Sequence, residues 1–272
     1  MKSLAAVNIR QYEKAVESLE EYRKVVDMGW QVFLQFGRPI PRKTLQEGAV
    51  CMVLGSDQGM CGQFNEAISE HALYEARKLK ERDIDPIFWS VGDKVGGALL
   101  DRGYDDLKQF PAPESPAGIN SQVQVVVQQI ETWRSARNIE RFYLCHNMVS
   151  KKSVYVQVFY PVLPLDENWA ESISSRKWPE RCLPMTGLVQ KELFNHLLRQ
   201  HLFVSFYRAF AQSLASENAA RLMAMQAAEK NVLERTEELQ ALFREQRQAN
   251  ITNELLDIIS GFEALSDEIS GL

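Results

Sequence analysis

The stretch Leu188–Ser260, LVQKELFNHLLRQHLFVSFYRAFAQSLASENAARLMAMQAAEKNVLERTEELQALFREQRQANITNELLDIIS, runs for about 73 residues without a Gly or a Pro. At about 1.5 Å of rise per residue, a helix of that length reaches roughly 110 Å, far beyond what the core of a small domain needs. Apolar residues recur along it on alternating three- and four-residue steps. Met225, Ala228, Val232, Leu239, Leu242 and Ala249 form this seam, with Arg235 and Gln246 interrupting it. Ile251, Leu255, Ile258 and Phe262 keep the period on a rotated face, before a tail from Ser266 to Leu272. Such an element spans something.

The other end of the chain carries a matching pattern. From Met1 to about Phe36, Ala5, Ile9, Tyr12, Val16, Leu19, Val26, Trp30 and Phe33 follow steps of four and three, with Arg23 as the one polar occupant. Glu13, Lys14, Glu17, Glu20, Glu21 and Lys24 make a solvated face. Gly37-Arg38-Pro39-Ile40-Pro41 then stops the helix, because Pro lacks a donor and restricts the residue before it.

Between the two helices the period changes. Ala49–Leu54 reads as a buried strand, followed by a glycine-bearing loop and a helix to about Arg82. Pro86–Val91 is a second strand, with a turn at Gly92-Asp93-Lys94 and a short helix to Asp101. After the connector Phe110–Pro116, a helix from about Asn120 to Arg137 leads to strands at Ile139–His146 and Val154–Tyr160. Alternating strands and helices predict an open, partly parallel, Rossmann-like α/β sheet with an antiparallel final strand, since few residues separate the last two. The segment Pro161–Pro184 reads as an irregular surface connector. The fold class is therefore α/β, an antiparallel coiled coil of the two terminal helices flanking the inserted domain. Its expected divisions are 1–36, 46–165, 166–187 and 188–272. The first helix is much the shorter, so at least half of the last one must find its partner elsewhere.

Composition narrows the function. Of 272 residues, 45% are apolar and 25% charged, enough for one ordinary core plus an extended element. A formal net charge of −5 argues against holding nucleic acid by phosphate neutralisation. No apolar run reaches the roughly 18 residues that span a bilayer, so membrane contact is expected to be peripheral. Cys51, Cys61, Cys145 and Cys182 show no CxxC pair and no companion histidines at metal-ligand spacing. Cys51 and Cys145 read as buried small hydrophobes in a reducing compartment.

Gly55, Gly59 and Gly62 precede a helix, as in loops that present backbone N–H groups to phosphate. The loop has neither a Gly-Lys-Ser/Thr ending nor a GxGxxG register. A tight strand-to-helix turn with close packing is the better reading. His71, His146, His196 and His201 are scattered, with no HExxH and no Ser/His/Asp or Cys/His arrangement beside them. No metal, cofactor or self-contained catalytic centre is expected.

Two segments carry more specific information. Gly55-Ser56-Asp57-Gln58-Gly59-Met60-Cys61-Gly62-Gln63-Phe64-Asn65 resembles a signature segment of the gamma subunit of rotary F-type ATP synthases. So do Ala215–Met225 and Arg247–Leu255 through Ile259-Ser260-Gly261, which are similar to that family's C-terminal helix. The likeness covers essentially the whole chain in order. It implies a central rotor shaft that transmits torque between a membrane ion-driven ring and a catalytic head. The implied shaft binds no nucleotide, performs no bond chemistry, and works at the cytoplasmic face of a bacterial inner membrane. Its implied partners are the alpha and beta subunits, the epsilon subunit and the ring of membrane c subunits.

By the same resemblance, Arg247, Gln248 and Thr252 match positions that contact a catalytic-subunit loop. Phe262, Ala264 and Leu265 would lie in an apolar bearing, and His201, Phe203 and Tyr207 at the rotor foot. Gln58 and Gln63 replace an Arg and a Gly of the family pattern, and His201 and Phe203 replace a Tyr and a Glu. Met1 resembles an internal Met of the family's first helix, which implies about two dozen residues upstream. Two readings stay open on periodicity alone. A coiled-coil scaffold would not co-purify with nucleotide-binding subunits, and a small phosphate-binding α/β enzyme would bind nucleotide as an isolated chain.

Overall fold

The computed structural model describes residues 2–35, 48–137, 139–150, 154–179, 181–182 and 187–270. The expected stop at Gly37–Pro41 lies outside them. Eleven elements follow in order: α1 (Lys2–Gln35), β1 (Gly48–Leu54), α2 (Phe64–Lys80), β2 (Asp85–Val91), α3 (Asp93–Leu100), β3 (Leu107–Phe110), α4 (Pro116–Ala136), β4 (Arg141–Val149), β5 (Tyr155–Leu163), α5 (Glu167–Ser174) and α6 (Gln190–Ser270). The chain divides into two compact units, Met1–Ala224 and Met225–Leu272.

The sheet order is β3-β2-β1-β4-β5. β1 to β4 are parallel neighbours and β5 runs antiparallel to β4, as the short β4–β5 connection predicts. β1 is apolar at nearly every position because both of its faces are covered. Cys51 and Val53 point into a core with Ile68, Ala72 and Leu79 of α2 and Val95 and Leu99 of α3. Val50, Met52 and Leu54 point the other way, into a core shared with α4, α1 and the start of α6. Cys51 and Cys145 are fully buried, and burial pushes the Cys51 thiol up to about 12.

α1 and the first part of α6 pair antiparallel. Asn8 meets Asn218, Tyr22 meets Gln200 and Trp30 meets Phe194. At Gly29 an added methyl would sit 2.7 Å from a Leu197 methyl, so the missing side chain sets how closely the helices approach. Ala5, Tyr12, Val26, Trp30 and Phe33 of the predicted seam are buried, and Val16 and Leu19 pack partly against the core.

Three details differ from the sequence reading. The expected irregular connector contains α5, capped by Asp166, whose carboxylate accepts from Asn168 N–H at 3.2 Å. Ile173 and Trp169 of α5 pack into the large core. β3 is a further strand, paired parallel with β2. α6 passes through Gly261 and ends at Ser270, so the expected tail is largely helical; one glycine costs only about 1 kcal/mol against Ala in a helix this long.

The second unit, taken by itself, is helix throughout its described length. From Gln226 to Ser260 every residue is exposed, including Val232, Leu239, Leu242, Phe243, Ile251, Leu255 and Ile258.

Candidate functional site

The loop after β1 is built from its own side chains. Asn65, in the first turn of α2, accepts from Ser56 N–H at 3.0 Å and donates to Ser56 Oγ at 2.9 Å and Cys61 Sγ at 3.4 Å. Ser56 Oγ in turn donates to Gln58 O at 2.8 Å. Met60 and Gly62 take left-handed backbone (φ 59° and 60°), which closes the turn. Asp57 reaches outward: one oxygen accepts from Asp93 N–H at the start of α3 (2.9 Å), the other from Ala112 N–H at 3.1 Å. A methyl at Gly55 would meet Val95 at 2.1 Å, and one at Gly92 (φ 91°) would meet the Ser56 backbone at 2.7 Å. The two βα loops therefore nest through their glycines. Gly55 N–H is bonded to Val91 O and Ser56 N–H to Asn65, which fits the turn reading and leaves neither donor for a phosphate.

The same loop packs on the second signature segment. Cys61 and Phe64 share a small core with Ala220 of α6, with Val154 and Tyr155 against it. Ser216, Glu217 and Asn218 are buried. Glu217 pairs with Arg221 at 2.5 Å, and burial raises its carboxyl above the usual range while that arginine opposes the shift. Ser216 Oγ donates to Gln212 O, and Asn218 donates to Leu214 O and accepts from Asn8 at 3.4 Å. The two motifs thus form one junction where α1, the β1 loop, the start of β5 and α6 meet. Periodicity could not reveal a buried polar layer; the small residues Ala215, Ser216, Ala219 and Ala220, which permit close approach, were the available signal.

The expected contact residues fall into three groups. Arg247, Gln248 and Thr252 are exposed on α6; Gln248 and Thr252 share a face, and Thr252 Oγ1 bonds back to Gln248 O at 2.9 Å. Phe262, Ala264 and Leu265 are helical positions of α6 whose side chains lie outside the described part. Phe203 and Tyr207 sit together, ring centroids 5.9 Å apart, partly buried against the large core. His201 faces inward instead, 4.9 Å from Trp169 and 6.2 Å from Trp30, and burial lowers its pKa to about 4. His146 is buried, bonded to Gln212 at 3.1 Å and likewise lowered to about 4. His146 and His201, 55 positions apart in the chain, line one cavity, a proximity their spacing does not show.

The ATP synthase family model matches residues 1–265. The chain belongs to the ATP synthase family. Within that family it is similar to the ATP synthase gamma chain of Glaesserella parasuis serovar 5, 26% identical over 270 residues, covering 97% of this chain and 92% of that relative. The fold matches a chain of the Euglena gracilis mitochondrial ATP synthase with a TM-score of 0.59 at 17% identity, covering 96% of this chain and 95% of the other. It also matches a chain of the Tetrahymena thermophila mitochondrial ATP synthase, in a structure of its central stalk and c-ring, with a TM-score of 0.53 at 19% identity, covering 84% and 98%. In this ATP synthase family member the role is that of the central rotor shaft. It is a component of a membrane-associated complex, and no helix among the described residues is long and apolar enough to cross a membrane.

Proposed function

We propose that this chain couples a membrane ring of c subunits to a catalytic head of alpha and beta subunits, with an epsilon subunit beside the α/β unit, and that it performs no bond chemistry itself. The observation that carries this reading is the exposed helix Gln226–Ser260, with an apolar seam that a monomeric chain leaves uncovered. Arg247, Gln248 and Thr252 supply polar contacts to a catalytic-subunit loop, and Phe262, Ala264 and Leu265 turn in an apolar bearing. His201, Phe203 and Tyr207 form the foot. To shift catalytic subunits between states, the shaft must touch those states differently, since only differential contact moves a population. The cytoplasmic face of a bacterial membrane is the location that fits.

The test is affinity capture of the tagged full chain, scored for nucleotide-binding subunits and ATPase activity. Co-purification of both is expected, and the chain alone should bind no nucleotide. Replacing both Arg247 and Gln248 with Ala should leave assembly intact and lower coupled ATP synthesis severalfold. Unchanged coupling in an assembled complex would remove these residues from the contact.

A further inference from the structure

A cavity of about 350 Å³ lies within the first unit, between α1, the β4–β5 hairpin, α5 and α6. Its size falls at the lower end of the range for small-molecule sites, about 300–1,000 Å³. Three guanidinium groups line it: Arg23 from α1, Arg176 just past α5, and Arg208 from α6. Two of these charges are already matched. Arg23 pairs with Glu20 at 2.9 Å, and Arg176 with Asp27 at 2.9 Å. Arg208 has no acidic partner among the described residues, although it lies close enough to His146 and Tyr160 for its charge to bear on both.

Apart from Asp27, the partner of Arg176, which also lines the cavity, the rest of the wall is uncharged and mixes polar with apolar side chains. Ser205, Gln212 and Tyr160 line it with the two histidines. Burial holds Tyr160 protonated, with its pKa pushed up to about 12, and keeps both imidazoles neutral at pH 7. His146 is 2% exposed, bonds Gln212 through Nε2, and has no hydrogen-bond partner at Nδ1. Because Nε2 donates to the Gln212 amide oxygen, the unsatisfied Nδ1 of the neutral ring is a lone pair, a buried acceptor that points to a missing donor such as the hydroxyl of a protonated oxyanion. Hydroxyl and guanidinium donors converging on a half-enclosed space, with one cation unmatched, favour an anion that accepts several hydrogen bonds.

We propose that this cavity binds a small oxyanion, with Arg208 as its principal charged partner and Arg176, Tyr160 and Ser205 completing the cradle. A phosphate and a short carboxylate both offer acceptor oxygens to those donors, and a phosphate that keeps one hydroxyl also offers His146 Nδ1 a donor. An occupant would tie together α1, α5, the hairpin and α6 at the base of the paired helices. It would therefore add to the stability of the first unit by mass action. The site is separate from Arg247, Gln248 and Thr252, and it does not depend on the partners proposed above.

The experiment uses the full chain with two probes. Inorganic phosphate is followed by broadening of its 31P line, and malonate by calorimetry, both against chloride at matched ionic strength. Saturable binding of at least one probe is expected, weakened at least about tenfold by Arg208→Gln, the loss of one charge-assisted hydrogen-bonding group. Arg244→Gln, an equal change of charge in the second unit, should leave binding unchanged. Arg208→Lys keeps the charge without the planar fork, so it should bind severalfold more weakly while retaining native tryptophan fluorescence. The proposal fails if neither probe binds beyond the chloride control, if Arg208→Gln binds as well as the parent chain, or if Arg208→Lys shows undiminished affinity.

Discussion

The two units of the chain use the same periodic pattern for opposite ends. In the first, the seam of α1 meets the early part of α6, and Trp30 is fully buried among Phe33, Trp169, Phe194 and His201. In the second, an equally regular seam is exposed, with Leu239, Leu242 and Leu255 each more than half accessible. A heptad-like period therefore states which residues will be covered, and says nothing about what covers them. Stability is concentrated in the first unit, and recognition is left to the second.

All five tryptophans lie in the first unit, so their fluorescence follows that unit alone, while far-ultraviolet circular dichroism follows both. Acid should separate the units most. The folded rings of His146 and His201 take up protons near pH 4, the unfolded ones near 6.5. Between those values the unfolded state binds more protons, so stability falls as pH is lowered through the window and levels off below it. The loss is on the order of 3 kcal/mol for each ring, caused by burial; Arg208 deepens the shift at His146, and Asp27 partly opposes it at His201. Denaturant midpoints read by fluorescence should fall from pH 7 to pH 4, and a flat profile would contradict the lowered pKa of both rings.

Next in size is Trp30→Ala, which removes the aromatic hub and should cost about 3–5 kcal/mol in the fluorescence-detected transition. A smaller loss, about 1–3 kcal/mol, is expected for Asn65→Ala, because Ser56 N–H loses its acceptor and the β1 loop its internal bracing. Smallest is Leu242→Ala. In the isolated chain it should change stability by less than about 0.5 kcal/mol, since that side chain is 59% exposed. The same substitution should lower coupled ATP synthesis in the assembled complex, and a large effect on the isolated chain would mean that the second unit is packed after all.

Much of the fold was legible because each long element repeats one period many times. α1, α6 and four of the five strands follow from apolar spacing alone. β3 did not, being four residues, LKQF, with one clear inward position at Phe110 beside a proline-rich connector. α5 was hidden by the surrounding prolines and tryptophans, although Asp166 followed by Glu167 is a start signal of the usual kind. The junction was harder still. Ser216, Glu217 and Asn218 look like a solvent-facing triplet, and only the approach of α1 and the β1 loop makes them interior. The cavity depended on long-range contacts that no local pattern encodes.

Asp57 shows how tightly such contacts can restrict the alphabet. Its two oxygens receive two backbone N–H groups from different loops. Asparagine would turn an NH2 toward one of those donors, serine would reach neither pair, and glutamate would place both acceptors one methylene too far. Two inward-facing donors at that distance admit one residue, so position 57 is spelled by simple counting of donors against acceptors, with no catalysis required to explain it.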